Sequence, residues 1–189
     1  ERLLIREIKI SDIDNRLLSW FDNERLMRFY TNSKRKITKE ILIESIEKGK
    51  AQGVNFTFLI CNKYTGESIG TLKLGPINST HRTSDMATLI ADASSIKGPG
   101  VGKEAIILGN SIAFEEFNIR KLFGGMYRSN VASIKAYTRA NWIVEGQLKG
   151  HYLVDGRAED RVLVGCFNPK EFTEEEILNA KDEDWYKEF

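Results

Sequence analysis

The pattern of apolar and polar positions divides the chain into strand-like and helix-like segments. Short apolar runs and alternation with a period of two predict strands at residues 3–8, 56–61, 69–74, 86–91, 121–127, 142–154 and 162–167. Helical spacing predicts helices over residues 11–30, 38–49, 102–117 and 130–140, and a capping box at 173–176 opens a terminal helix. Two early helices, an antiparallel meander and then alternating helices and strands predict an α+β fold. Its mixed, mostly antiparallel sheet has about seven strands flanked by helices.

Composition narrows the class of protein. The 189 residues show no break in composition, so residues 1–189 are expected to form one domain that ends in an acidic helix or tail over 171–189. The net charge of +1 does not favour a nucleic-acid partner. No segment approaches the ~18 consecutive apolar residues of a membrane span, so no membrane partner is expected either.

Two further features bear on the compartment. Residues 1–6 are not followed by an apolar stretch of the kind that a secretory signal carries. Cys61 and Cys166 are far apart in the sequence, and two buried thiols in a reducing environment are the simplest interpretation. We therefore expect a cytoplasmic protein without a metal site.

The most informative segment is a glycine-rich turn between a predicted strand and a predicted helix. Such a turn aims free backbone N–H groups at an anion, and the helix dipole adds partial positive charge. The candidate phosphate-binding residues are Lys97, Gly98, Gly100, Val101, Gly102 and Lys103. A Walker A loop is excluded because Glu104 stands where that loop needs Ser or Thr, and the glycine spacing does not fit a Rossmann turn.

Two motifs give the sequence a resemblance to the GNAT superfamily of N-acetyltransferases. Residues 97–102, Lys-Gly-Pro-Gly-Val-Gly, match the family loop [QR]-x-x-G-x-[GA] with Lys in the first place. Residues 130–142 match N-x-x-[SA]-x-x-x-Y-x-x-x-G-F, with Asn141 and Trp142 in place of Gly-Phe. The opening residues 2–6 and the segment 144–160 resemble the branch that contains ribosomal-protein-alanine acetyltransferases.

The resemblance implies a single GNAT-like domain that uses acetyl-CoA, with the diphosphate on the glycine turn. It also implies that the backbone of Leu89 and Ile90 pairs with the pantetheine arm and that Asn130 contacts it. Tyr137 is the leading general acid for the departing thiolate, and Ser133, one helical turn earlier, is the alternative.

Acetyl transfer also requires a base, because an alkyl amine with a pKa of ~10.4 is mostly protonated near neutral pH. His151 and Glu145 are the two candidates that we favour, and Asp85 and Asp92 are weaker ones. The resemblance places Phe29 and Tyr30 at one wall of the acceptor pocket.

The sequence leaves the acceptor open. The basic run Lys34-Arg35-Lys36 favours an anionic acceptor such as a nucleotide-linked amino sugar, whereas the branch resemblance favours a protein N-terminal amine. Polyamines rank behind both. A non-catalytic acyl-CoA-binding sensor is the alternative function, and a homodimer is compatible with either interpretation.

Overall fold

The computed structural model describes residues 1–30 and 36–188, and a sheet of seven strands runs through it. The strands are β1 (Leu3–Glu7), β2 (Phe56–Asn62), β3 (Ser68–Asn78), β4 (Thr83–Ile90), β5 (Lys121–Tyr127), β6 (Ile143–Val154) and β7 (Arg157–Phe167). They lie in the order β1-β2-β3-β4-β5-β7-β6, and all neighbours are antiparallel except β4 and β5, which are parallel. The predicted α+β class and mixed, mostly antiparallel sheet are confirmed.

Helices cover both faces of this sheet. They are α1 (Asn15–Asp22), α2 (Glu24–Met27), α3 (Lys39–Ala51), α4 (Val101–Glu115), α5 (Val131–Thr138), α6 (Glu174–Asn179) and α7 (Glu183–Glu188). One apolar cluster joins α4 and α5 to the sheet and includes Leu72, Ile106 and Tyr137. A second cluster joins the first helices to the opposite face and includes Leu17 and Leu59.

The early helical segment differs from the prediction. The single helix expected over residues 11–30 is two helices, α1 and α2, which meet at Asn23. The Asn23 side chain accepts a hydrogen bond from Leu26 N at 3.1 Å and so caps α2. Asp14 caps α1, since its side chain accepts a hydrogen bond from Leu17 N at 2.8 Å.

The C-terminal segment also differs. The terminal helix predicted from residue 173 is two short helices, α6 and α7, although the predicted capping box between Thr173 and Glu176 is present. The acidic segment is not simply solvated, since Trp185 is 3% exposed. Asp182 N donates to Val144 O at 2.8 Å, and the Tyr186 hydroxyl accepts from Val144 N at 3.0 Å. The segment therefore packs against β6.

Two local backbone features shape the sheet and the packing of α4 on it. Asp155 and Gly156, which join β6 to β7, both have positive φ angles of 48° and 76°, as a tight hairpin turn requires. On α4, Gly109 allows close packing on the sheet, because a Cβ there would lie 2.9 Å from Sδ of Met86. Helix α4 is thereby held over β4, with its N-terminus beside the glycine-rich turn.

Candidate active site

A gap opens in the sheet between the two parallel strands. Strand β4 pairs with β5 only from Thr83 to Asp85, although it pairs with β3 along its length to Ile90. Ala91 N donates to Ile69 O, so by strand alternation the backbone groups of Met86 and Ile90 face away from β3. These groups lie on the open edge of β4. Leu89, the other expected pantetheine contact, turns its backbone toward β3.

Tyr137 lies at this open edge. Its hydroxyl donates to Met86 O at 3.1 Å and lies 3.4 Å from Oγ1 of Thr88. The side chain is 4% exposed. Burial raises the pKa of the Tyr137 phenol well above its ordinary value, and the hydrogen bond to Thr88 opposes this less strongly. The phenol therefore keeps its proton at neutral pH.

A buried polar bridge holds Tyr137 in place. The ring of Trp142 meets the Tyr137 ring edge-on, with centroids 4.8 Å apart. The indole Nε1 donates to Asn110 Oδ1 at 3.0 Å, and Asn110 Nδ2 donates to Ala140 O at 3.2 Å. Between these groups Asn141 adopts a φ of 68°, the left-handed conformation expected where the family has glycine. The sequence analysis did not identify Asn110, because it treated Trp142 only as a departure from the usual phenylalanine and gave no sign that the two residues meet.

Asn130 and Ser133 share one contact at the start of α5. Asn130 Oδ1 accepts from Ser133 N at 3.3 Å, so the amide oxygen of Asn130 caps the helix. Ser133 is half-buried on the same helix as Tyr137, one turn nearer the N-terminus. Its hydroxyl stays a candidate proton donor.

The glycine turn presents backbone amides on an accessible surface. Gly98 and Gly100 both have a φ of 85°, which disfavours other residues at these positions. Gly100 is the N-cap of α4 and has no side chain to bond the first helical amides. A Cβ added at Gly100 would meet nothing within 4 Å, and Lys97 and Lys103 are exposed on either side. Val101 is buried, so only its backbone can contribute.

Arg2 holds the other side of this turn. Its Nη1 donates to Lys97 O at 2.8 Å and to Gly98 O at 3.3 Å, and its Nη2 donates to Pro99 O at 3.1 Å. Three successive carbonyl groups therefore point toward one guanidinium. Sequence reasoning identified Arg2 only as part of a family-like opening, because this contact joins residues far apart in the chain.

Asp85 lies on the sheet face opposite to α4. Met86 contacts α4 at Gly109, and side chains alternate along a strand, so Asp85 points to the other face. It is half-buried at the last residue where β4 pairs with β5. Burial raises the pKa of the Asp85 carboxyl to about 6, although attraction to Arg161 and Lys73 opposes the change. A carboxyl group with this pKa is ionised at neutral pH and accepts protons readily.

Aromatic side chains line the same face. The rings of Phe29 and Tyr127 are 5.7 Å apart, and the rings of Tyr127 and Tyr152 stack at 3.9 Å. Tyr30 lies near Asp85, and burial, with a smaller effect of the Asp85 charge, raises the pKa of its phenol to about 12. The structure thus brings the two expected acceptor residues, Phe29 and Tyr30, to the face that holds Asp85.

The other candidate bases are placed less centrally. Glu145 accepts from Lys121 Nζ at 2.5 Å, so its carboxylate is engaged in a salt bridge. His151 is exposed, with its ring 5.1 Å from that of Tyr152. Asp92 accepts from Ser94 N at 3.0 Å in a turn after β4. Of these groups, Asp85 is the carboxyl that lies where β4 and β5 separate.

The other expectations from the sequence concern the cysteines, metal binding, membrane spans and the basic run. Cys61 and Cys166 are free and buried, as expected, and burial raises the pKa of the Cys166 thiol to about 12. Within the described ranges, no set of three or more His, Cys, Asp or Glu side chains is arranged to hold a metal ion. In residues 1–30 and 36–188, no helix has both the length and the apolar character needed to span a bilayer. Lys34 and Arg35 lie outside the described residues.

Comparison with known proteins identifies relatives of this chain. Spermidine N(1)-acetyltransferase from Escherichia coli (strain K12) is 26% identical over 102 residues, which cover 54% of this chain and 54% of that protein. The chain thus spans about half the length of the curated relatives that it matches.

Solved structures share the fold. Spermidine N-acetyltransferase from Vibrio cholerae, in complex with CoA and spermine, has a TM-score of 0.78 at 19% identity and covers 94% of this chain and 99% of its own. Ribosomal-protein-S5-alanine acetyltransferase from Vibrio fischeri has a TM-score of 0.74 at 21% identity, covering 91% and 96%. Residues 2–142 match the model of the acetyltransferase (GNAT) domain, which is more than half of the chain. The resemblance is confirmed, and the chain belongs to the GNAT acetyltransferase family.

Proposed function

We propose that the protein is an acetyl-CoA-dependent N-acetyltransferase in which a primary amine attacks the thioester directly in a ternary complex. The observation that carries the proposal is the position of two proton-transfer groups around one point of β4. Asp85 projects from one face, and the Tyr137 hydroxyl bonds the carbonyl of the next residue, Met86. A base and an acid thus lie beside the open edge of β4.

The residues around the gap fit acetyl-CoA. The amides at the start of α4 suit a diphosphate, since the helix dipole and the missing Cβ atom at Gly100 favour a close anion. The backbone of Ile90 on the open edge suits the amide groups of a pantetheine arm. When bound, the group supplies an acetyl thioester beside Tyr137.

The proton transfers then divide between two residues. Asp85 takes a proton from the acceptor ammonium, which leaves a neutral amine able to form the new N–C bond. Tyr137 donates its proton to the sulfur as the C–S bond breaks, and its phenolate then takes the second proton that the nitrogen loses as the amide forms. The raised pKa of Asp85, about 6, brings the carboxyl closer to the pKa of an amine than an ordinary aspartate. Ser133 is the alternative donor, as inferred from the sequence.

For the acceptor, we propose an amine that carries oxygen atoms nearby, either a nucleotide-linked amino sugar or a protein N-terminal amine. The aromatic row Phe29, Tyr127 and Tyr152 suits a ring or an apolar side chain. A polyamine is the second candidate, because two of the three relatives named above are spermidine acetyltransferases.

The test is release of CoA thiol from acetyl-CoA with a panel of amines. Asp85→Asn and Tyr137→Phe should each lower kcat by about 10²–10⁴-fold and leave the Kd for CoA within about twofold. Asp155→Asn at the exposed hairpin turn and Tyr64→Phe, whose ring is 80% exposed, serve as matched controls. Tight CoA binding without thiol release from any amine would instead support the acyl-CoA sensor.

A further inference from the structure

We propose that Arg161 forms an oxygen-binding subsite in the acceptor pocket and selects amines that carry a hydrogen-bond-accepting oxygen beside the amino group. This inference rests on the proposed function and concerns the same site. It assigns a substrate class that excludes polyamines, the acceptors named for two of the relatives above.

The position of Arg161 depends on a glycine in the neighbouring strand. Arg161 lies on β7 and pairs with Tyr127 of β5. Its side chain crosses β5 at Gly125, where an added Cβ would lie 2.5 Å from Cζ and from Nη2 of Arg161. Because β5 separates β7 from β4, the missing side chain lets the guanidinium extend toward Asp85. The attraction between these two groups opposes the rise in the Asp85 pKa.

The guanidinium is only weakly engaged by the protein. Nη1 of Arg161 lies 3.5 Å from Nε2 of His151. Its Nε is buried and, within residues 1–30 and 36–188, has no hydrogen-bond partner. Other arginines are paired with carboxylates, as Arg16 is with Glu67 at 2.7 Å and Arg82 is with Glu171. A buried N–H without a partner is costly to the folded state, so Arg161 is held ready for an oxygen that a ligand brings.

The chemistry of guanidinium determines which ligand fits. Arg161 offers N–H donors in a fixed plane and has no acceptor. A protein N-terminus places a carbonyl next to its amine, and an amino sugar places hydroxyl or amide oxygens next to its own. A polyamine has only ammonium groups, which compete with Arg161 for Asp85 and are repelled by the guanidinium. Lys73 also attracts the Asp85 carboxylate, so this carboxylate already interacts with two cations of the protein.

The experiment compares acceptors rather than a single activity. Wild type, Arg161→Met and Arg161→Lys are assayed with a UDP-linked amino sugar, an N-terminal alanine peptide and spermidine, at saturating acetyl-CoA. Arg157→Met is the control, since Arg157 is an exposed residue of the same strand. Thermal unfolding checks that each variant is folded, and Arg161→Lys, which keeps the charge, carries the test if Arg161→Met does not fold.

We expect wild type to acetylate one of the two oxygen-bearing amines with a kcat/KM at least about 10-fold above that for spermidine. Arg161→Met should raise the KM for that amine about 10- to 100-fold, as expected for loss of a hydrogen bond to a charged group, and leave the KM for acetyl-CoA unchanged. Arg161→Lys should recover part of the loss. The better of the two substrates identifies the source of the oxygen.

Three results would overturn the inference. The first is spermidine as the best acceptor of the wild type. The second is an acceptor KM that Arg161→Met leaves unchanged, and the third is an equal rise in the KM for acetyl-CoA. In these cases thiol release still occurs and the proposed N-acetyltransferase stands. Thiol release that is absent with all three amines would overturn the proposed function together with the inference.

Discussion

Arg2 and Glu104 link the first strand to the first turn of α4. Arg2 Nε donates to Glu104 Oε2 at 2.8 Å, and the backbone N–H groups of Arg2 and Leu3 bond Oε1 of the same carboxylate. The rest of the Arg2 guanidinium holds the carbonyls of residues 97–99. Fixing these carbonyls on one side leaves the amides of the glycine turn free to face an anion on the other.

We therefore expect Arg2→Ala to weaken acetyl-CoA binding without slowing the chemical step. The turn would lose three hydrogen bonds to a charged group, and the KM for acetyl-CoA should rise about 10-fold while kcat changes less than about twofold. Arg6→Ala is the control, because Arg6 lies on β1, which begins just after Arg2, and pairs with Asp12 away from the turn. Steady-state kinetics with varied acetyl-CoA provide the measurement. An unchanged KM would show that the turn keeps its shape without Arg2.

The pH dependence should identify the base. With a pKa of about 6, Asp85 loses its ability to accept a proton as the pH falls, so kcat/KM for the acceptor should decline below about pH 6. His151→Ala should keep the decline in kcat/KM below about pH 6. Asp85→Asn should have a much lower kcat/KM, without a further decline below that pH. Profiles between pH 5 and pH 9 test this. If His151→Ala alone abolished the decline in kcat/KM at low pH, His151 rather than Asp85 would be the base.

Asp85 should also destabilise the fold near neutral pH. Its pKa is raised in the folded protein, from an ordinary 3.8 to about 6, so the folded state binds the proton more tightly than the unfolded state. The free energy of unfolding should therefore fall as the pH rises from about 4 to about 6. Asp85→Asn, which has no ionised form, should raise it at pH 7.5 by on the order of 1–3 kcal/mol.

Urea denaturation at pH 7.5 and pH 4.5 provides the measurement. The advantage of Asp85→Asn should shrink at the lower pH, where Asp85 is protonated in the wild type. Equal advantages at both values would mean that ionisation of Asp85 is not the cause. Asp155→Asn at the exposed turn should show no such pH dependence.

The hydrogen bonds of Asn110 with Trp142 and Ala140 should contribute both to the free energy of unfolding and to kcat. Asn110→Ala leaves the indole N–H of Trp142 and the carbonyl of Ala140 without their partner, and we expect a loss of about 2–3 kcal/mol in the free energy of unfolding. Because Trp142 packs on Tyr137, kcat should also fall several-fold at temperatures where the variant remains folded.

A matched control lies on the same helix. Ser111→Ala removes only an exposed hydroxyl that donates to Ile107 O, and it should change neither quantity measurably. Stability is read from urea denaturation and turnover from thiol release. A full kcat in Asn110→Ala would show that Tyr137 is positioned without the bridge.

Features that depend on neighbouring residues can be predicted from the sequence. The periodicity of apolar residues predicted all seven strands, because side chains that alternate across a sheet repeat every two positions. Gly98 and Gly100 are also identifiable from the sequence, since positive φ angles restrict the residue type strongly. The resemblance of residues 130–142 to the family motif indicated Tyr137 as the candidate general acid.

Contacts between residues far apart in the chain become visible only in the folded protein. Arg2 reaches the glycine turn, Asn110 reaches Trp142, and Arg161 extends across Gly125 toward Asp85, each through contacts between separate segments of the chain. The sequence analysis favoured His151 and Glu145 over Asp85, because a sequence does not show the burial or the neighbours of a side chain. Burial raises the pKa of Asp85, and the charges of Arg161 and Lys73 oppose the rise. Both effects arise where separate strands pack side by side, so the residues next to Asp85 in the sequence do not reveal them.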